Sequence, residues 1–307
     1  MSIAAEIERL QNAKTSIKTS IENKGVEVGD GTLDTYASKI DEISSGDNSK
    51  FNSGAYLFYD NGRLEIMDEL LSRLENNISC NHMYSGATEL TEIDFSKIDS
   101  KYSTSSTYML NNCKGLTGVL DFSNFDTDNC ETMTYMISGC TGITKVIFDN
   151  RNVEKVTTAL SMLNNCTALT DLIFTNLNFI ACTTFRYLCY GCINLANVDL
   201  TNFQAPVATN YSGMFYACQG ITEIDITNLY NENISNTAQM FYSCTKLAKL
   251  IINCPAVFPM AATSMLTSTP IANGTGYIYV PVDLVDTYKS ATNWSTYAAQ
   301  IKGISEL

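Results

Sequence analysis

The sequence predicts an α/β repeat solenoid with units of about 26 residues, each a short helical turn followed by a strand. A coiled-coil and helical attachment module is expected ahead of it. The first observation is a set of six cysteines, Cys113, Cys140, Cys166, Cys192, Cys218 and Cys244, at intervals of 27, 26, 26, 26 and 26 residues. Fixed self-similarity at such a period is the signature of stacked repeats. The second is that other columns keep the same period. Four residues before the cysteine position stand Met83, Met109, Met136, Met162, Leu188, Met214, Met240 and Met265. The third is a period-two apolar pair after each cysteine, as in Val146/Phe148, Leu172/Phe174 and Ile224/Ile226.

Each element follows from these columns. Apolar residues at offsets −4, −3, 0 and +3 from the cysteine fit one face of a short helix. The alternating pair fits a strand with every second residue inward. Together they give the Leu-x-x-Leu-x-Leu pattern of a leucine-rich repeat. One unit cannot bury its apolar stripe alone, so stacking must make a continuous core. The single 27-residue interval has a local cause, because Leu116–Phe122 is one residue longer than Leu90–Phe95.

The cysteine column invites a metal or disulfide reading. Stepping back 26 residues from Cys113 reaches Ala87, so the slot accepts a small apolar side chain. Free cysteine packs as such a residue, and the six are expected to be structural. Disulfides between columns would need suitable Cα separations, which spacing does not supply. Cys189-Tyr-Gly-Cys192 has redox spacing, but both cysteines fall on core columns. Nothing in the chain visibly completes a metal site at Cys80-Asn-His82.

The domain expectation is residues 1–24 an oligomerisation helix, 25–50 a small helical attachment segment and linker, 51–80 an N-terminal cap, 81–275 the solenoid, and 276–307 a C-terminal cap. Ile3, Ile7, Leu10, Lys14, Ile17 and Ile21 step by 4, 3, 4, 3 and 4, a three-heptad seam. Isoleucine at both core heptad positions favours three strands. The plain alternative is one amphipathic helix packed on its own domain. Leu64–Leu74 has helical periodicity, as expected of a cap.

Composition narrows function. Lys+Arg 19 against Asp+Glu 32 leaves a net charge of −13, which argues against nucleic acid and anionic membranes. The single histidine removes most histidine-based catalysis and multi-histidine zinc sites. No stretch is long and apolar enough to suggest membrane insertion. No cofactor and no enzyme activity are expected, since no nucleophile–base pair, phosphate loop or metal constellation stands out.

Binding in a repeat array is expected on outward strand positions. One outward column includes Ile147, Ile173, Asp199 and Asp225; its neighbour includes Lys145, Asp171, Asn197 and Glu223. Ile147 and Ile173 should lie on adjacent strands as a small apolar centre. The plain alternative is that another segment covers them or that they do nothing.

The run Met214-Phe215-Tyr216-Ala217-Cys218-Gln219-Gly220-Ile221-Thr222-Glu223-Ile224-Asp225-Ile226 resembles the BspA-like leucine-rich repeat proteins of bacteria. The likeness spans about residues 81–270 and implies surface display and binding. Tyr277-Ile-Tyr-Val-Pro281 and Asn293-Trp294-Ser-Thr-Tyr297 resemble that family's C-terminal cap. Residues 2–43 resemble an N-terminal module of tailed-phage structural proteins. Glu6, Glu8 and Arg9 occupy the place where a signal peptide would need an apolar run. These features imply a phage virion protein, assembled in the host cytoplasm and docked on other virion proteins through residues 1–45. It would be a homo-oligomer that recognises a host-surface glycan or protein from the tail or baseplate. The alternatives are capsid decoration and a bacterial surface adhesin.

Overall fold

A computed structural model of the protein describes residues 54–307, apart from residues 62–63 and 65–66. The heptad residues Ile3, Ile7, Leu10, Lys14, Ile17 and Ile21 and the attachment segment at 25–50 lie outside the described residues.

Two parallel four-stranded sheets and few helices give a repeat-like α/β fold. β1 (Thr117–Asp121), β2 (Gly142–Ile147), β3 (Asp171–Ile173) and β4 (Asn197–Asp199) form the first sheet in that order. β5 (Glu223–Asp225), β6 (Lys249–Ile251), β7 (Tyr277–Val280) and β8 (Ile301–Gly303) form the second. Pairing follows the sequence period: Lys145 faces Asp171, which faces Asn197. Val146, Leu172, Leu250 and Ile278 point inward and are fully buried. The β1–β2 register shifts at Gly118/Val119, within the stretch that the 27-residue interval marks as long. Gly118 has φ 73°, the left-handed conformation that lets a glycine absorb a bulge.

The helical turn expected before each cysteine is absent: these stretches are runs of turns. In residues 80–87, the N–H groups of Cys80, His82, Tyr84 and Gly86 donate to carbonyls of the next unit, Ser105, Thr107, Met109 and Asn111, at 2.7–3.0 Å. The intervening N–H groups of Met83, Ser85 and Ala87 donate three residues back in their own unit. A helix would spend every donor internally. A helix of one or two turns is poorly stable alone, because nucleation costs more than so few bonds return. Alternating the donors satisfies the same backbone groups and ties each unit to the next. It requires two left-handed residues four apart in each run, as at Tyr108 and Asn112, Tyr135 and Gly139, and Tyr187 and Gly191.

The same turn run already occurs at residues 54–61. Gly54, Tyr56, Phe58 and Asp60 donate to Ser79, Asn81, Met83 and Ser85. The stretch expected as an N-terminal cap therefore starts with repeat geometry and continues into helix α1 (Met67–Arg73). Leu70, Leu71 and Leu74 are buried there, and Asp68 pairs with Lys97 at 2.8 Å. At the other end, helix α2 (Val285–Ser290) and the turn from Trp294 close the core. Trp294 Nε1 donates to the Phe258 carbonyl at 2.7 Å, and Phe258 N–H donates to the Tyr288 hydroxyl at 2.8 Å.

All eleven cysteines are free and buried. The column thiols have one repeated role: each donates to a carbonyl of the preceding unit. Cys113 reaches Tyr84 O at 2.9 Å, Cys140 Leu110 O at 3.0 Å, and Cys166 Ile137 O at 3.3 Å. Cys192 reaches Leu163 O at 3.0 Å, Cys218 Cys189 O at 3.1 Å, and Cys244 Phe215 O at 3.0 Å. Burial pushes the Cys182 and Cys244 thiols up to about 12, so the reactive thiolate is disfavoured.

Two outcomes follow for the fold. A thiol reagent is expected to find almost no reactive cysteine in the native protein and all eleven after unfolding; ready native labelling of Cys166 or Cys192 would contradict the packing. A Cβ on Gly139, which has φ 77°, would lie 2.3 Å from Asn112 Oδ1. Gly139→Ala should lower stability by about 1–3 kcal/mol, the cost of strain at a left-handed position. Asn112→Gly in the same chain should recover part of that loss in thermal melts.

Candidate binding faces

The residues expected on the outward strand face fall on strands of two separate sheets. Lys145, Asp171 and Asn197 adjoin in register on the first sheet, as do Ile147, Ile173 and Asp199. Ile147 and Ile173 are half-buried, paired across β2 and β3. Glu223 and Asp225 belong to the second sheet, beside Lys249 and Ile251. The ladder stops between β4 and β5. The 26-residue period would put Asp199 beside Asp225 there, and like charges on neighbouring strands oppose pairing.

Hydrogen bonds give several of these residues a structural task. Asp199 accepts from Thr201 N–H at 3.0 Å and Asp225 from Thr227 N–H at 2.8 Å. Asp94 and Asp121 do the same for Ser96 and Ser123. The aspartates of this column therefore close the turn that leaves the strand. Asp171 accepts from the Thr170 hydroxyl at 2.6 Å and from Asn197 Nδ2 at 2.8 Å. Those bonds, led by Thr170, hold its carboxyl below the usual carboxylate range. Glu223 pairs with Lys249 at 2.7 Å. The side chains left to offer a contact are Ile147 and Ile173, with Lys145 and the Asp171–Asn197 pair beside them.

A second face, missed in the sequence, lies on the turn runs. In the first four units the residue just before the methionine column is a left-handed, half-buried aromatic, and its ring stacks on the next unit's. Tyr56, His82, Tyr108 and Tyr135 form one ladder, with centroid separations of 4.7, 4.7 and 5.0 Å. Tyr190, Tyr216 and Tyr242, two residues before their cysteines, form another at 4.6 and 4.9 Å. Tyr187 connects the two columns, lying edge-on to Tyr190 and over Gly213, where a Cβ would be 2.4 Å from its ring. The signal was present in the sequence, since the tyrosines share the 26-residue period. The helical reading placed no ladder there.

This face is nearly uncharged. Between residues 80 and 244, the eight-residue runs that end on the cysteine column carry one charged side chain, Arg186, which lies 4.5 Å over the Tyr187 ring. The rest is mainly tyrosine, asparagine, serine, threonine and glycine around the buried core positions, with His82, Leu160, Ala217, Ala238 and Gln239 among them.

No group of three or more His, Cys, Asp and Glu residues is placed to hold a metal ion among the described residues. No helix among them is long and apolar enough to cross a membrane. A shallow cleft between Pro206, Tyr230 and Pro255 is lined by amides such as Gln204, Asn228 and Asn253, without Asp, Glu, Lys, Arg or His.

The sandwich of His82 between Tyr56 and Tyr108 has a measurable consequence. Burial lowers its pKa from 6.5 to about 4, because the neutral ring is favoured. The unfolded chain then binds the extra proton between those values. Stability from neutral His82 is full above about pH 6.5 and is lost as pH falls towards 4. His82→Tyr keeps the stack, so its melting temperature should fall less than wild type's across that window. Equal slopes would contradict the sandwich.

No curated protein matches the chain. A family model described as "Mycoplasma protein of unknown function, DUF285" matches residues 55–175 and 174–257. That domain is found in BspA-like repeat proteins. The two matched segments span most of the turn runs and six of the eight strands, more than half of the sequence, and the chain belongs to the DUF285 family.

Proposed function

We propose that this chain is a non-catalytic recognition protein whose units form one continuous leucine-rich-repeat solenoid displayed on a biological surface. The observation that carries this reading is the pairing of Ile147 with Ile173, half-exposed and in register on a rigid parallel sheet. Isolated apolar side chains on a surface are ordinary. An adjacent pair with a cation, Lys145, and a fixed carboxylate–amide pair, Asp171–Asn197, combines an apolar anchor with oriented polar groups. The ligand on this face is a host-surface glycan or protein.

The carrier we favour is a phage particle. Residues 1–45 would dock on other virion proteins, with the seam from Ile3 to Ile21 holding a trimer, and the recognition domain would project from the tail or baseplate. Capsid decoration uses the same parts at a different location. The family match favours a second reading, a bacterial surface adhesin of the BspA-like kind.

Light scattering of the full chain should give a trimer at micromolar concentration, and a chain lacking residues 1–45 should give a monomer. A monomeric full chain would remove the oligomer. Gold-labelled antibody against residues 81–270 should mark particles released by prophage induction, at the tail end for host recognition or on the head for decoration. Label on walls of uninduced cells would favour the adhesin. Ile147→Asp with Ile173→Asp should weaken attachment to host cells by at least about tenfold, the loss expected on removing a central interface anchor.

A further inference from the structure

We infer that the tyrosine face of the turn runs is a second binding surface, and that it takes a linear, uncharged polysaccharide running along the stack of units. The chain is acidic overall, and its outward strand positions carry Lys145, Asp171, Asp199, Glu223, Asp225 and Lys249. Against that background, a face with Arg186 as its one charge between residues 80 and 244 is distinctive. It offers no attraction to a cationic partner and no cluster of cations for an anionic one.

What it offers is a grid. Stacking covers the faces of the ladder rings, leaving their edges and hydroxyls outermost. Tyr190, Tyr216 and Tyr242 repeat at 4.6 and 4.9 Å. Beside the first ladder, Asn111 and Asn112 add amides held by each other and by the Ser138 carbonyl. Within each ladder, successive units thus present mixed apolar and hydrogen-bonding edges at nearly the same pitch, while the run at 159–166 between the ladders carries amides and no ring. A flat protein epitope has no need of that regularity. A polymer of neutral sugar rings, which shows equivalent hydroxyls and C–H edges along its length, matches it in charge, chemistry and periodicity. The ladders are already ordered, so little side-chain freedom is lost on binding. The surface is separate from the Ile147/Ile173 face and does not depend on it.

The test uses the full chain on an array of neutral and anionic oligosaccharides, followed by affinity electrophoresis in the soluble polymer of the best neutral hit. Binding should be confined to linear neutral glycans. It should persist in about 1 M salt, where the screening length is about 3 Å. Tyr190→Ala with Tyr216→Ala should weaken it by at least about tenfold. Tyr190→Phe with Tyr216→Phe keeps the rings and the fold, verified by an unchanged melting temperature, and should also weaken it because hydroxyls are lost. Lys145→Ala with Asp171→Ala should leave it unchanged. A silent array with folded protein, binding confined to anionic glycans, or wild-type affinity in both tyrosine variants would overturn the inference. So would loss of binding in the strand-face variant alone.

Discussion

Everything in this structure depends on the way the turn runs divide their backbone donors. Every second N–H points to the next unit and the others close turns within their own. This arrangement does what a helix does elsewhere, satisfying the main chain without water. It also turns successive side chains in and out at short intervals. Methionine, its neighbour and cysteine go inward, while the left-handed tyrosines at 108, 135 and 187 stay half-exposed. The cysteine thiols add a weaker bond from each unit to the one before it. A small side chain is required in that slot, and a thiol supplies both the volume and a donor.

The outward columns are then consequences of stacking. A residue at a left-handed position projects beside its counterpart one unit away, at roughly the spacing of aromatic contact. Where rings recur, they stack; where a bulky side chain leans across, its neighbour shrinks to glycine, as at Asn112/Gly139 and Tyr187/Gly213. On the strand face, the same nearness sets a limit. Carboxylates at Asp199 and Asp225 meet the end of one sheet and the beginning of the next, while the turn-run bonds continue past them, from Cys189 to Met214 and from Gly191 to Tyr216.

Much of this was legible in the sequence. The period, the inward columns, the strand positions and the burial of the cysteines follow from spacing, because each column repeats one environment. The extra residue in Leu116–Phe122 coincides with the register shift at Gly118. The helical turn was misread for a physical reason. Offsets of −4, −3, 0 and +3 describe which residues go inward, and a run of alternating turns satisfies them as well as a helix. Only the donor pattern separates the two, and it leaves a subtle trace in residue choice: asparagine, glycine and serine just before the cysteine column. The roles of Asp94, Asp121, Asp199 and Asp225 were obscure for a related reason. An aspartate that closes a turn and one that faces a ligand look alike until the N–H two residues on is placed.

The direction of the bonds between units has a mechanical meaning. Those of the sheets and of the turn runs both lie along the stack, across the chain direction of each unit. A pull along the stack therefore loads the units in series, like links, and separates them by opening one junction's bonds at a time. A force across the stack meets many junctions at once. An array of this kind yields in small steps at its ends while the middle stays whole.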